Sequence, residues 1–252
     1  MFIEPEEAFS IIKRHWTEWD SNVKPEKYII GISGGVDSTC AAALACKLFG
    51  KDKVVGVSLP CNGQKDMQDV DKVFTHLGIK RITIDIGEAF DSLKTSIAVN
   101  GLAPTHQCVT NMPARLRMAA LFGVAQCLNG VVVNTCNRSE DVVGYSTLFG
   151  DDAGCYSPLK NLTKTEVQRL AFWLIVPANL AYKTPVDGLQ DKTDEESLGF
   201  TYAELDKYIR GNVIHTDVKQ KIDALHAKNK FKLDIINIPG PKFNAVDAFN
   251  YR

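Results

Sequence analysis

A chain of 252 residues, 45% of them hydrophobic and 23% charged, has the make-up of an ordinary soluble globule and enough apolar material for a large core. Its formal net charge of −1 leaves no general basic surface for nucleic acid, no apolar run is long enough to span a bilayer, and Met1-Phe2-Ile3-Glu4-Pro5-Glu6-Glu7 lacks the basic and apolar regions of a signal peptide. The seven cysteines, at 40, 46, 61, 108, 127, 136 and 155, form no C-x-x-C pair and no zinc spacing, and their odd, scattered placement predicts reduced thiols in a cytoplasmic protein.

Ala8, Ile11, Ile12, Trp16 and Trp19 recur at helical spacing, which predicts an amphipathic helix over residues 5–20. Tyr28-Ile29-Ile30-Gly31-Ile32 is an apolar run with the character of a buried strand. After a glycine turn, residues 39–49 are rich in alanine and leucine and predict a helix. Cys40 and Cys46 fall on it as packing residues. Residues 53–59 predict a second strand, residues 67–77 a helix ended by Gly78, and residues 81–85 a third strand. A long helix over 112–128 leads to a fourth strand over 130–135. Thr163-Lys164-Thr165-Glu166 has the capping-box pattern of a helix start. From Pro185 onward the chain is more polar and predicts a helical tail, with helices over 202–209 and 218–227. Strands alternating with helices, and Val/Ile runs without polar alternation, predict an α/β fold: a doubly wound parallel sheet with helices on both faces. No clean linker divides the chain, so one domain over residues 1–252 is expected. Ligands of such sheets bind beyond the carboxyl ends of the strands, so the loops after Ile32, Leu59 and Thr135 should share one rim.

Ser33-Gly34-Gly35-Val36-Asp37-Ser38 lies on that rim. A strand, a tight turn and a helix start aim several backbone N–H groups at one point, and the helix dipole adds positive potential. Gly34 and Gly35 permit unusual φ angles and close backbone approach to a ligand. Ser33, Ser38 and Thr39 offer hydroxyls. Asp37 cannot itself favour an anion, which points to a bridging cation such as Mg²⁺. A lone glycine pair would be a plain turn with Asp37 or Ser38 capping the helix; the whole hexapeptide in this setting favours nucleotide binding. It is not a Walker A loop, since G-x-x-x-x-G-K-[ST] is absent. After the fourth strand, Thr135 stands where it could touch the nucleotide, and Glu140 supplies a second carboxylate on the same rim as Asp37. Asp141 fits a plain first-turn acid.

The hexapeptide resembles the pyrophosphate-binding loop of the ATP pyrophosphatases, which split ATP between its α- and β-phosphates. Residues 134–167 (NTCNRSEDVVGYSTLFGDDAGCYSPLKNLTKTEV) are similar to the ammonia-dependent NAD synthetase family. So are residues 185–209 (PVDGLQDKTDEESLGFTYAELDKYI), Asn111-Met112-Pro113-Ala114-Arg115-Leu116-Arg117-Met118 and Gln64-Lys65-Asp66, so the likeness covers most of the chain. The resemblance implies an adenine-nucleotide-hydrolase-like fold that binds ATP as co-substrate through Gly31, Ile32, Ser33, Gly34, Gly35, Val36, Asp37 and Ser38, with Thr135 and Lys164. It implies Mg²⁺ on Asp37 and Glu140, Asp151 in a loop that receives ammonia, and deamido-NAD bound by Arg115 and Lys232. Asp37, Asp151 and Lys164 would then be the catalytic set. Taken by itself, Arg115 fits a solvated helix charge equally well, and Lys164 would oppose its helix dipole unless a phosphate partnered it. The implied reaction forms an acyl adenylate from deamido-NAD, releases pyrophosphate, and lets ammonia displace AMP. No glutaminase domain is apparent, so free ammonia or a separate partner should supply nitrogen, and a homodimer is implied.

The chain also departs from the family pattern. Leu148 stands in place of a Lys or Arg that contacts deamido-NAD, Cys155 in place of an Asp, Phe231 in place of the His of a His-Lys pair, and Val186 in place of a Ser or Thr that meets ATP. A thiol is a poor stand-in for a carboxylate, and neither Leu nor Phe carries a charge or ring nitrogen. The ATP-cleaving half is nearly intact; the acceptor half is altered. The alternatives are a related amidating enzyme with another acceptor, or a catalytically impaired ATP-binding homologue. Retained Asp37, Glu140 and Lys164 weigh against the latter.

Overall fold

The computed structural model describes residues 1–63, 67–183, 193–235 and 238–249. Gln64, Lys65, Asp66 and Val186 lie outside the described residues. Four strands, β1 (Lys27–Gly31), β2 (Val54–Ser58), β3 (Lys80–Thr83) and β4 (Gly130–Val132), pair in parallel in the order β3-β2-β1-β4. Ile29 pairs with Val55 on one side and Val132 on the other. The chain builds outward from β1 to β3 and then returns to place β4 on the free side of β1. That reversal opens a crevice between β1 and β4 at their carboxyl ends.

Both faces of the sheet are covered, as its uninterrupted apolar strands require. On one face Tyr28, Ile30 and Val54 pack with α1 (Pro5–Val23), α2 (Val36–Phe49), α3 (Met67–Leu77), α7 (Lys164–Trp173) and α8 (Ala178–Ala181). Ala8, Ile12 and Trp16 of α1 are buried there, on the stripe that the spacing predicted. On the other face Ile29, Val55, Val57 and Val132 meet Leu116, Ala120, Leu121 and Ala125 of α5 (His106–Cys127), below α4 (Gly87–Val99). A third apolar cluster joins α6 (Arg138–Val143), α10 (Tyr202–Ile209) and α11 (Thr216–Asn229), with Phe249 of the tail packed in. The short helices α9 (Asp194–Leu198) and α12 (Phe231–Ile235) complete the described α-helices, and a 3-10 turn over Lys51–Lys53 leads into β2.

Several boundaries differ from the sequence expectation for local reasons. Helix α2 opens at Val36 with Gly35 as its N-cap, so Asp37 and Ser38 lie inside the first turn and neither caps it. Helix α5 begins at His106, ahead of residue 112, because the Thr105 hydroxyl accepts the Cys108 N–H at 3.2 Å. Helix α4 has no counterpart among the expected elements; only Gly87 and Phe90 are buried in it, too few to mark a stripe.

Helix α7 ends in a Schellman motif. The Ile175 N–H donates to Phe172 O at 2.9 Å and the Val176 N–H to Ala171 O at 3.0 Å. The motif needs a left-handed residue after the cap, usually glycine, yet Ile175 occupies it at φ 67° with 80% of its surface exposed. A β-branched side chain is strained there and gains little from packing. Ile175→Gly is therefore expected to raise unfolding free energy by about 1 kcal/mol in urea melts; an unchanged or lower midpoint would contradict the strain.

Candidate active site

The crevice holds a cavity of about 310 Å³. Gly31, Ile32, Ser33, Gly35, Val36, Asp37 and Ser38 line it from the β1–α2 turn, with Leu59 from the loop after β2 and Asn134, Thr135 and Cys136 from the loop after β4. The three loops expected to share a rim do so. Gly34 adopts φ +82°, and a Cβ there would come within 3.1 Å of Val70 N and 3.2 Å of Asp69 Cβ. The turn is thus pressed against the start of α3, and any side chain at 34 would both strain and displace it. Ser33 Oγ accepts the Gly35 N–H at 3.2 Å, and Thr39 Oγ1 donates to Gly35 O at 2.8 Å. The first backbone bond of α2 runs from Thr39 N–H to Gly35 O. The N–H groups of Val36, Asp37 and Ser38 precede it, at the positive end of the helix and on residues that line the cavity.

Opposite the turn stands a buried charge cluster. Lys164 Nζ lies 2.7 Å from Asp37 Oδ2 and 2.7 Å from Glu140 Oε1, in a residue only 2% exposed. Asn137 completes the arrangement. Its Nδ2 donates to Asp37 Oδ1 at 2.9 Å, and its N–H donates to Glu140 Oε2 at 3.2 Å as half of the capping box that starts α6. The lysine that would oppose its own helix dipole is thus satisfied by two carboxylates. Burial works against its charge, but Asp37 and Glu140 outweigh burial and hold its pKa well above the usual value. Burial pushes the Glu140 carboxyl up to about 8, with the Asp37 charge adding and Lys164 opposing. The Lys164 ammonium also sits 4.9 Å over the Tyr202 ring.

The other wall is the loop from Gly144 to Asp152. Asp151 lines the cavity; its Oδ1 accepts the Thr147 N–H at 2.6 Å, and its carbonyl accepts from Asn134 Nδ2 at 3.1 Å. Burial raises its pKa, and the Thr147 N–H offsets part of that. Lys232 Nζ donates to Gly144 O at 2.8 Å and Ser146 O at 2.6 Å, while Arg115 Nε donates to Leu148 O at 3.2 Å. The structure therefore gathers Asp37, Thr135, Glu140, Asp151 and Lys164 in one cavity. It does not bring Arg115 or Lys232 into it; both brace the loop through main-chain carbonyls. Among the departing residues, Leu148 and Cys155 are half-buried and Phe231 is exposed.

Arg117, Asn137, Lys183 and Asp194 were not singled out by sequence. Arg117, Lys183 and Asp194 line the cavity, Arg117 with its Nε on Leu59 O at 3.0 Å. Asn137 was legible as the cap of an N-x-x-E box, whereas nothing local marks Lys183. Among the described residues no group of three or more His, Cys, Asp or Glu could hold a metal; Asp37 and Glu140 are a pair.

The family model described as NAD synthase matches residues 13–236. The chain belongs to the NAD synthase family. It is 41% identical over 182 residues to the NH₃-dependent NAD⁺ synthetase of Pyrococcus furiosus, covering 72% of this chain and 70% of that protein. Among solved structures it is similar to an NMN synthetase from Francisella tularensis (33% identity, TM-score 0.86, 94% of this chain and 99% of that one). It is also similar to the NAD⁺ synthetase of Burkholderia pseudomallei (26% identity, TM-score 0.77, 93% and 91%). As a member of the NAD synthase family the chain is a ligase.

Removing one partner of a buried ion pair strands the remaining charge. Lys164→Met is expected to cost about 3 kcal/mol of stability, and distinctly less in an Asp37→Asn/Glu140→Gln background, where no stranded carboxylates remain. Denaturant melts of the four proteins measure this; equal losses in both backgrounds would dissolve the coupling.

Proposed function

We propose that this ligase amidates deamido-NAD to NAD with ammonia, consuming ATP and releasing AMP and pyrophosphate. The observation that carries the proposal is the Asp37–Lys164–Glu140 cluster facing a glycine turn at a helix N-terminus, in a chain of the NAD synthase family. A free carboxylate resists amines, because its carbonyl is anionic and lacks a leaving group. In the first step a nicotinate carboxylate oxygen attacks the α-phosphorus of ATP, the α–β bridging P–O bond breaks, and pyrophosphate leaves with the electron pair. In the second, ammonia attacks the acyl carbon, the C–O bond to phosphate breaks, AMP leaves, and the nitrogen sheds a proton.

The roles follow the cavity. Ser33, Gly34 and Gly35 shape the turn, the N–H groups of Val36, Asp37 and Ser38 receive the phosphates, Gly31, Ile32 and Thr135 border the nucleoside, and Lys164 offsets charge developing at the α-phosphate. Asp151 takes the ammonia side, where a carboxyl raised by burial is suited to accept the proton the nitrogen sheds. Mg²⁺ fits Asp37 and Glu140: their Oδ2 and Oε1 already converge on one cation, both are hard oxygen donors, and two carboxylates leave positions for phosphate oxygens and water. When bound, the ion would neutralise phosphate charge. Arg115 and Lys232 act on the acceptor by fixing the Gly144–Asp152 loop. We read the chain as one domain with a helical tail. Exposed Leu93, Val99 and Leu102, on and just after α4, offer apolar surface to a homodimer. Seven cysteines without a disulfide suit a cytoplasmic setting.

A second reading keeps the chemistry and changes the acceptor to nicotinate mononucleotide. It is favoured by the likeness to an NMN synthetase over nearly the full length of both chains and by the altered Leu148, Cys155 and Phe231. One assay separates the two: pyrophosphate release with ATP, Mg²⁺ and an ammonium salt, against either acceptor. NAD formed one-for-one with AMP is the expected result. Turnover of the mononucleotide alone would transfer the case to the second reading, and consumption of neither acceptor would overturn both.

A further inference from the structure

Arg117 has no part in the reaction as proposed, yet it lines the cavity. It belongs to a stripe of α5, Ala114, Arg117, Met118 and Leu121, whose i, i+3, i+4, i+7 spacing turns one helix face to the cavity. The other three residues of the stripe are apolar. Lys164 and Lys183, which also line the cavity, each meet a carboxylate at 2.7 Å. Arg117 does not. Its Nε donates to Leu59 O at 3.0 Å, and among the described residues its two terminal nitrogens have no acceptor. Burial works against its charge, with Cys61 and Asp151 opposing. A half-buried guanidinium without an anion is costly to keep, so this wall suits a guest that brings one.

The reaction brings two kinds of anion into the cavity. The phosphates fall to the glycine turn and Lys164. The carboxylate must lie beside the α-phosphate and on the side of Asp151, where ammonia reaches its carbon. Asp151 would repel it there, and Arg117 is near enough for the Asp151 charge to act on it. A planar guanidinium matches a carboxylate; with Nε on Leu59 O, the terminal nitrogens remain for that contact.

We propose that Arg117 is the carboxylate-binding residue of the acceptor site, holding the oxygen that does not attack ATP. This rests on the reading of the cavity as a site of nicotinate amidation. In adenylation the other oxygen bonds to phosphorus, and the held one becomes the acyl oxygen. In the second step the ammonia lone pair forms the C–N bond, and the C=O π pair moves onto the held oxygen, beside the guanidinium. Return of that pair re-forms C=O and breaks the C–O bond to phosphate. AMP leaves with the electrons of that bond, and the nitrogen passes its proton to Asp151. Arg117 thus binds the acid form of the acceptor more tightly than the neutral amide product.

Equilibrium titrations of the full chain test this, with α,β-methylene ATP and Mg²⁺ present. The ligands are deamido-NAD against NAD, and nicotinate mononucleotide against its amide; ATP binding is measured alongside. Arg117→Met should weaken the acid form of the bound acceptor about tenfold, the loss of one charge-assisted contact, and leave its amide and ATP unchanged. Arg117→Gln, which keeps a hydrogen-bond donor without the charge, should show the same selective loss. Arg117→Lys should recover part of the preference for the acid. If the Met and Gln variants bind the acid normally, lose acid and amide equally, or lose ATP instead, the assignment of Arg117 fails while the acceptor reading stands. A wild-type protein that binds neither acid overturns the acceptor reading and this inference with it.

Discussion

One buried ammonium organises this protein. Two carboxylates from distant segments, Asp37 on α2 and Glu140 on α6, cannot share a dry site without a cation between them, and Lys164 supplies it from α7. The same turn of α7 ties in the remainder of the chain. The Lys164 N–H donates to Ser139 Oγ at 2.9 Å, and the Thr165 N–H to Asp206 Oδ2 of α10 at 2.7 Å. Glu166 accepts the Thr163 N–H, the Ile3 N–H and the Arg210 guanidinium. Residues 163–166 are therefore where the N-terminal segment, the glycine turn, the start of α6 and the C-terminal helices are registered against one another. A change in that turn reaches the cavity between β1 and β4 and the packing of the tail together, because the same few polar contacts serve both.

The Gly144–Asp152 loop is built on a different principle. Its supports reach its main chain: Lys232 on two carbonyls, Arg115 on a third, Asn134 on the Asp151 carbonyl. Phe149 is left more than half exposed at φ 57°, a costly conformation for an aromatic residue that loops near functional sites tolerate when their surroundings enforce it. Asp151 and Asp152 add side-chain bonds to the Thr147 and Gly150 N–H groups, but a carbonyl brace works whatever side chain its residue carries. Arg115 reaches Leu148 through its main-chain carbonyl, so the side chain at 148 can change without that support being lost. The glycine turn has no such freedom, since Gly34 is fixed by its φ and by Asp69 and Val70 behind it.

The sequence carried the parts of this design that are local. The strands were legible because a sheet covered on both faces leaves continuous apolar runs. The glycine turn was legible because strand, turn and helix lie side by side, and α10 because its apolar stripe begins at a capping box. Asp37 and Glu140 could be placed on one rim by topology alone. That Lys164 joins them could not, because a first-turn lysine looks the same whether it meets a phosphate or two carboxylates. Helix α4 buries too little to imprint a period, and α6, α9 and α12 are too short to repeat one. Ser139, Asp206 and Arg210 look like ordinary surface residues until the fold closes over them.

These two building principles divide the reaction. In the proposed reaction, adenylation involves only the nicotinate carboxylate and the α-phosphate, so bond making in that step would depend on the glycine turn and the lysine cluster. The remote part of the acceptor contributes binding that is the same in the ground state and the transition state, which affects substrate affinity more than turnover. In that proposal, residues on the braced loop and the tail, Leu148 and Phe231 among them, would bear on which nicotinate nucleotide is retained and not on how its carboxylate is activated. The lysine cluster and the main-chain braces of the loop use different side chains, so a change on the loop leaves the supports of the cluster in place.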